Sequence, residues 1–329
     1  MLLASAVLTP IIAPIALPIA VILDLATRTP RLRRTRGVLL ISSLIMIDLV
    51  GRILVFGTWL IAPFGARVDG PKSQRRYASV MSWWTGAIMQ TVSTIAPLPI
   101  DLTQLDESLL GGNAIVVGRH RSLLDAILPA ALFGSRGLTA HYTLKEDLRW
   151  EPNIDIVGHR MNHVFVTRSP KDLEAELGPI RELGKSIDER SVGVIFPEGM
   201  FFNPTRRKRA LASIAKRNPE RLKWAERMHY VLPPRPAGTI AFLEGAPDAD
   251  VIMLGHVGFE PFGTVREILQ SLGAQHSIIV RAWRFARSSV PDEPDAQIEW
   301  LFQRWAEMDE WIAAHHPLAL TQEGGHKLT

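Results

Sequence analysis

The sequence predicts an α/β fold, a central sheet flanked by helices, behind an N-terminal helical membrane hairpin. Three observations predict it. From about residue 98, short apolar β-like runs alternate with helical stretches, the pattern of a sheet with helices packed on its faces. Residues 1–25 and 37–64 are apolar segments that carry very few charges, each long enough to cross a bilayer. Dense arginine follows each of them. The chain therefore divides into a membrane-inserted hairpin with basic loops over 1–76, an α/β domain over 77–316 and a tail over 317–329.

Composition narrows the class. With 329 residues the chain has ample length for a core. Hydrophobic residues make up 47% and mean hydropathy is +0.10, high for a soluble enzyme and low for a polytopic transporter. Cysteine is absent, which excludes disulfides, thiol nucleophiles and thiolate metal sites. The net charge is only +4 but the pI is near 9.6, and arginine outnumbers lysine. Such a surface suits an anionic membrane, a phosphate-bearing substrate or nucleic acid. The first seventy residues favour the membrane, and the basic clusters lack interleaved aromatics, so no nucleic-acid partner is read.

In chain order, residues 1–25 contain one acid, Asp24, and three prolines, Pro10, Pro14 and Pro18, which would kink a helix. No basic leader or small-residue cleavage site marks this stretch as a signal peptide. Arg28, Arg31, Arg33, Arg34 and Arg36 form a cationic loop expected to stay cytoplasmic. The second segment holds Asp48 and Arg52, spaced to pair on one helix face. Arg67, Lys72, Arg75 and Arg76 make its far flank basic too. The expectation is a hairpin with Asp48 and Arg52 near its bend, and with both basic flanks and the α/β domain on the cytoplasmic face. Residues 77–97, with Trp83 and Trp84, read either as an interfacial helix or as one packed on the globular body.

Within the α/β region, strands are expected at 114–117, 139–144, 164–167, 192–196, 229–232, 251–259 and 277–285. Helices are expected at 126–133, 171–188, 205–216, 238–244, 265–272 and 296–315. No internal repeat or long linker divides the region.

Four clusters within this pattern carry chemistry. Gly118-Arg119-His120-Arg121-Ser122-Leu123-Leu124-Asp125 follows the first expected strand. On one continuous helix, His120 and Asp125 would point about 140° apart; a strand-to-helix turn lets them meet as a general base and its orienter. The same residues also read as a capping box, with Ser122 at the N-cap and Asp125 three residues on. Arg168 ends the run Val164-Phe165-Val166-Thr167, where a guanidinium can meet a ligand phosphate. Ile195-Phe196-Pro197-Glu198-Gly199 ends a strand in a glycine that permits close backbone approach. Val231-Leu232-Pro233-Pro234-Arg235-Pro236 runs into a rigid turn suited to walling a groove. Two other patterns fail. Gly184-Lys185-Ser186 lacks the earlier glycine of a phosphate loop, since Pro179 stands there. His159 and His163 have no Glu after the first and no third ligand, so no metal site is read.

Together, in this order, these clusters resemble the glycerolipid acyltransferase family, which includes the 1-acylglycerol-3-phosphate and lysophospholipid acyltransferases. His120 to Asp125 match its H-x-x-x-x-D motif, Phe165 to Arg168 its second, Phe196 to Gly199 its F-P-E-G motif, and Pro233 its proline turn. The Arg119 to Ser122 wording, Pro129, Tyr230 to Arg235 and the terminal run Trp300 to Asp309 look like the eukaryotic-type lysophosphatidylinositol/lysocardiolipin branch. The resemblance covers roughly 77–316. It implies acyl transfer from acyl-CoA to a lysophospholipid hydroxyl, with membrane lipids around the enzyme, no metal and no cofactor beyond the co-substrate. His120 is then the base and Asp125 its orienter, while Arg168, Glu198, Gly199 and Pro233 serve the substrate. Two departures stand out. The third motif continues Met200-Phe201 where the family usually has Thr-Arg, which disfavours lysophosphatidate as acceptor, and Asn162 replaces a usual glycine. Arg206, Arg207, Lys208 and Arg209 follow as possible compensating charge. Acylation of another lipid hydroxyl, on a glycolipid or an inositol-bearing lipid, and a non-catalytic lipid-binding protein on the same fold are the alternatives.

Overall fold

A computed structural model describes residues 2–61, 70–96, 99–167, 172–272 and 277–320. Eleven helices and seven strands are described: α1 (Leu2–Ala26), α2 (Arg33–Ile61), α3 (Pro71–Ile95), β1 (Ile100–Asp101), β2 (Ala114–Gly118), α4 (Leu128–Gly134), β3 (Thr139–Lys145), α5 (Pro152–Arg160), β4 (Val164–Val166), α6 (Leu173–Lys185), β5 (Ser191–Ile195), α7 (Pro204–Arg217), α8 (Leu222–Ala225), α9 (Pro236–Gly245), β6 (Asp250–Val257), α10 (Val265–Ser271), β7 (Ile278–Phe285) and α11 (Pro294–Leu320). The strands form one sheet in the order β1-β7-β6-β2-β5-β3-β4. Only β6 and β7 pair antiparallel. This is the α/β sheet flanked by helices that the sequence predicts.

Both faces of the sheet are covered, so its central strands read as unbroken apolar runs rather than alternating ones. Every residue of β2 and of β5 is buried. On one face, Ile115 and Val117 join Ile180 and Leu183 of α6, Phe242 of α9 and Trp305 of α11. On the other, Ala114 and Val116 meet Met89 and Val92 of α3 and Phe133 of α4. α3 is thus packed on the body: Tyr77 and Thr85 are fully buried, and the Trp84 ring lies against Gly51 of α2.

The N-terminal helices pack against one another. Asp24, the lone acid of the first apolar stretch, is buried and accepts the Thr35 amide and hydroxyl, both at 2.9 Å, and the Arg34 amide at 3.3 Å. It supplies the α2 N-terminus with the acceptor that its own first residues lack. The expected bend near Asp48 and Arg52 is corrected here. α2 runs unbroken through both, and the chain reverses at 27–32. Arg52 lies 2.7 Å from Asp48 and 3.0 Å from Glu151, while the Asn153 side chain donates to Asp48 at 2.7 Å. Paired charges that dock on α5 give the helix no cause to break there. At the basic loop, Arg36 donates to the Ile95 carbonyl at the end of α3, which ties the hairpin to the domain.

The expected strand at 229–232 is a second correction. The amides of His229, Tyr230 and Val231 donate to the Asp309 carboxylate at 2.8, 2.6 and 2.9 Å, and Leu232 donates to Glu198. Side-chain carboxylates satisfy these donors in place of a neighbouring strand.

Candidate active site

The register β2–β5–β6 brings Val117 level with Ile195 and with Met253. The carboxyl ends of these parallel strands therefore open at one edge, where α/β sheets hold their ligands. His120 leaves β2 there, Pro197 to Gly199 leave β5, and β6 carries His256.

His120 Nδ1 lies 2.9 Å from Asp125 Oδ1. An ionised carboxylate only accepts, which assigns the proton to Nδ1 and leaves the Nε2 lone pair free. The other oxygen, Oδ2, accepts the amides of Arg121 and Ser122 at 2.6 and 2.5 Å, and the Ser122 hydroxyl accepts from Leu124 and Asp125 in return. The capping box and the His–Asp pair are therefore one structure. Burial pushes the Asp125 carboxyl up, but hydrogen bonds from His120 and His256 outweigh it and hold it well below the usual carboxylate range. His120 stacks on Phe196, with ring centroids 4.7 Å apart, and meets Phe201 edge-on at 4.4 Å. A side chain at Gly118 would place its Cβ 2.7 Å from the Phe196 ring, so glycine at the strand end lets that ring reach the histidine.

Glu198 is placed differently from the substrate-contacting position expected for it. It is 2% exposed, and its two oxygens accept the His120 and Leu232 amides, each at 2.8 Å. Burial pushes its carboxyl up to about 8, against the pull of those amides and of Arg119. Pro233 is likewise buried in the framework; its turn is fastened by the Arg235 amide on the Pro197 carbonyl at 2.8 Å and by Trp305 Nε1 on the Leu232 carbonyl at 2.9 Å. Trp305 and Asp309 explain why the terminal run belongs to the pattern: they hold this turn. Gly199 has φ +66°, where glycine carries no steric cost, and its amide is taken by the Phe196 carbonyl. Arg168 lies outside the described residues.

An apolar cavity of ≈ 290 Å³ begins at His120 and runs between β3, β5, α6 and α9, past Leu144, Leu177, Ile180 and Ile195. Arg235 and Gly199 also line it; Arg235 is exposed, and no hydrogen bond or ion pair engages its guanidinium among the described residues. Sequence reasoning passed over Arg235, although its place beside the proline turn was visible. It also missed His256, a buried histidine whose Nε2 lies 3.4 Å from Asp125 Oδ2 and 3.3 Å from the Arg119 carbonyl. Nothing in the wording of an apolar strand announces that contact. The basic run after Phe201 is partly structural. Arg206 donates to the Phe201 carbonyl at 2.8 Å, and Arg207 to the Met228 and Glu226 carbonyls.

A histidine whose inner nitrogen is locked on a buried carboxylate, at the end of an apolar cavity, is equipped to deprotonate a hydroxyl beside a bound hydrocarbon chain. Comparison with known proteins agrees with that class. Residues 99–235 match a family model described as Acyltransferase. A mouse protein, 1-acyl-sn-glycerol-3-phosphate acyltransferase epsilon, is 27% identical over 214 residues, which cover 61% of this chain and 57% of the relative. The chain thus spans little more than half the length of that curated relative. The crystal structure of the 1-acyl-sn-glycerophosphate (LPA) acyltransferase PlsC from Thermotoga maritima shares the fold, with a TM-score of 0.54 at 14% identity over 86% of this chain and 98% of that one. Residues 99–235 are thus similar to acyltransferases, and the chain shares the fold of that bacterial enzyme.

Proposed function

We propose that the protein transfers an acyl group from acyl-CoA to the free hydroxyl of a lysophospholipid, at a membrane surface. The observation that carries this reading is His120, with Nδ1 on Asp125 and its ring at the end of the apolar cavity. In the reaction, the acyl chain lies in the cavity and His120 Nε2 accepts the acceptor's hydroxyl proton. The oxygen attacks the thioester carbonyl, and the resulting oxyanion collapses to the ester. The departing CoA sulfur then takes the proton from His120. Base catalysis of this kind is typically worth about a hundred- to ten-thousand-fold. Arg235, beside the cavity, is placed to meet a phosphate of acceptor or donor, a charge-assisted contact.

Phe201 favours a particular acceptor. Its ring occupies the side of His120 where the family pattern usually carries an arginine, and an apolar edge offers nothing to a phosphate monoester. The reading is therefore a lysophospholipid with a substituted phosphate, or another lipid hydroxyl, ahead of lysophosphatidate. The two apolar helices, with isoleucines exposed along α1, support membrane attachment, and the Arg36 tie to the end of α3 supports a basic loop on the same side as the domain. The test is turnover of labelled acyl-CoA by membranes containing wild type or His120→Ala, against a panel of lysolipids. Loss of transfer with unchanged membrane association is expected. Retained turnover in the variant would overturn the mechanism.

A further inference from the structure

A second cavity, which shares no lining residue with the first, lies where the hairpin meets the domain. It is an open groove of ≈ 920 Å³ between α1, α2 and α10. Small residues shape it: Ala13 and Ala16 line it from α1, and Gly37 on α2 lets Leu269 of α10 pack closely, 3.3 Å from where a Cβ would stand. Ile41 and Ile45 continue an apolar floor. From Arg33 to Ile45 the lining residues span thirteen residues of α2, a rise of about 18 Å. One leaflet of hydrocarbon is about 15 Å deep, so the groove matches a single acyl chain in length.

Its charge is equally specific. Arg33 and Arg266 line the same groove from opposite elements, and neither makes a hydrogen bond or ion pair among the described residues. Arg34, beside them, is already engaged with Thr27, Thr29 and Asp24. Two unengaged guanidiniums lining one apolar groove from facing elements are complementary to one phosphate above one chain. We infer that this groove holds an anionic phospholipid, its phosphate between Arg33 and Arg266 and one chain along α2. Since α10 belongs to the domain and α2 to the hairpin, the lipid would join the two. The inference rests on the membrane attachment proposed above.

The full chain is reconstituted in nanodiscs of phosphatidylglycerol and phosphatidylcholine, released, and weighed by native mass spectrometry for lipids retained. Wild type is expected to keep one phosphatidylglycerol in preference to phosphatidylcholine. Arg33→Gln/Arg266→Gln should lower that preference about tenfold or more, at roughly 1 kcal/mol per arginine. Ala16→Trp, which fills the groove and leaves both arginines, should lose the bound lipid as well. Equal retention of the two lipids, undiminished retention in either variant, or a second protein copy retained instead would overturn the proposal. Vesicle flotation of each protein tests attachment separately: failure to float refutes the membrane reading, whereas floating without selective retention refutes the groove alone.

Discussion

Glu198 holds His120 by its main chain: one carboxyl oxygen accepts the His120 amide at 2.8 Å, 78 residues away in sequence, while the other oxygen accepts from Leu232. One buried side chain thus sets the backbone of the proposed base and of the proline turn together. Glutamine can accept with only one oxygen, so Glu198→Gln would turn an amide donor toward another donor. The expected cost is about 1–3 kcal/mol of stability, with lower turnover and little change in acceptor KM.

The same residue makes stability depend on pH. Burial pushes its carboxyl from 4.5 up to about 8, so the folded protein keeps a proton that the unfolded chain releases. Its contribution to stability is full below about pH 4.5 and declines as pH rises toward 8. Melting temperatures of wild type and Glu198→Gln across that window should converge toward the upper end, because the variant has no such group to ionise. Parallel profiles would refute the assignment.

Asp125 and His256 separate orientation from support. Asp125→Asn removes the ionised acceptor that fixes the His120 tautomer, and kcat should fall about a hundredfold or more. His256→Asn loosens only one contact to Asp125 Oδ2, which two backbone amides also hold. A fall of about tenfold or less is expected, with KM unchanged. Steady-state kinetics on both variants decides it; a larger loss from His256→Asn than from Asp125→Asn would reverse the roles.

Arg235 projects beside the cavity while its own amide fastens the Pro197 turn. Arg235→Gln keeps that backbone bond and removes the charge. KM for the phosphate-bearing substrate it meets should rise about tenfold or more, as loss of a hydrogen bond to a charged group implies, with the melting temperature unchanged. Titrating acyl-CoA and acceptor separately would identify which substrate it serves. Unchanged KM for both would remove Arg235 from the site.

Much of this architecture was legible because the relevant signals are local. Apolar runs give β2 and β5, and Ser122 to Asp125 give the turn on which His120 sits. What escaped depends on contacts between distant segments. The 229–232 run has the composition of a strand, yet Asp309, on a helix some eighty residues later, takes its amides. Glu198 reads as a residue at a strand end facing ligand, and only the fold shows Leu232 and His120 both reaching it. His256 lies in an apolar strand whose sequence carries no trace of Asp125. The break in the hairpin was misplaced because Asp48 and Arg52 look costly until α5 brings Glu151 and Asn153 beside them.

Phe201 offers the sharpest test of acceptor choice. Its carbonyl is held by Arg206 at 2.8 Å and its ring lies edge-on to His120, so the backbone is fixed and the side chain alone can be exchanged. Met200→Thr/Phe201→Arg would place a guanidinium where the Phe201 ring now meets His120. A charge-assisted hydrogen bond to a phosphate is worth about 1.5–3 kcal/mol, which is about ten- to a hundredfold in relative kcat/KM. Turnover of lysophosphatidate should rise by that factor against a lysophospholipid with a substituted headgroup. The wild-type enzyme should show the opposite preference in the same assay. If wild type already prefers lysophosphatidate, the apolar ring does not select the acceptor, and another cation, with Arg235 the first candidate, must hold its phosphate.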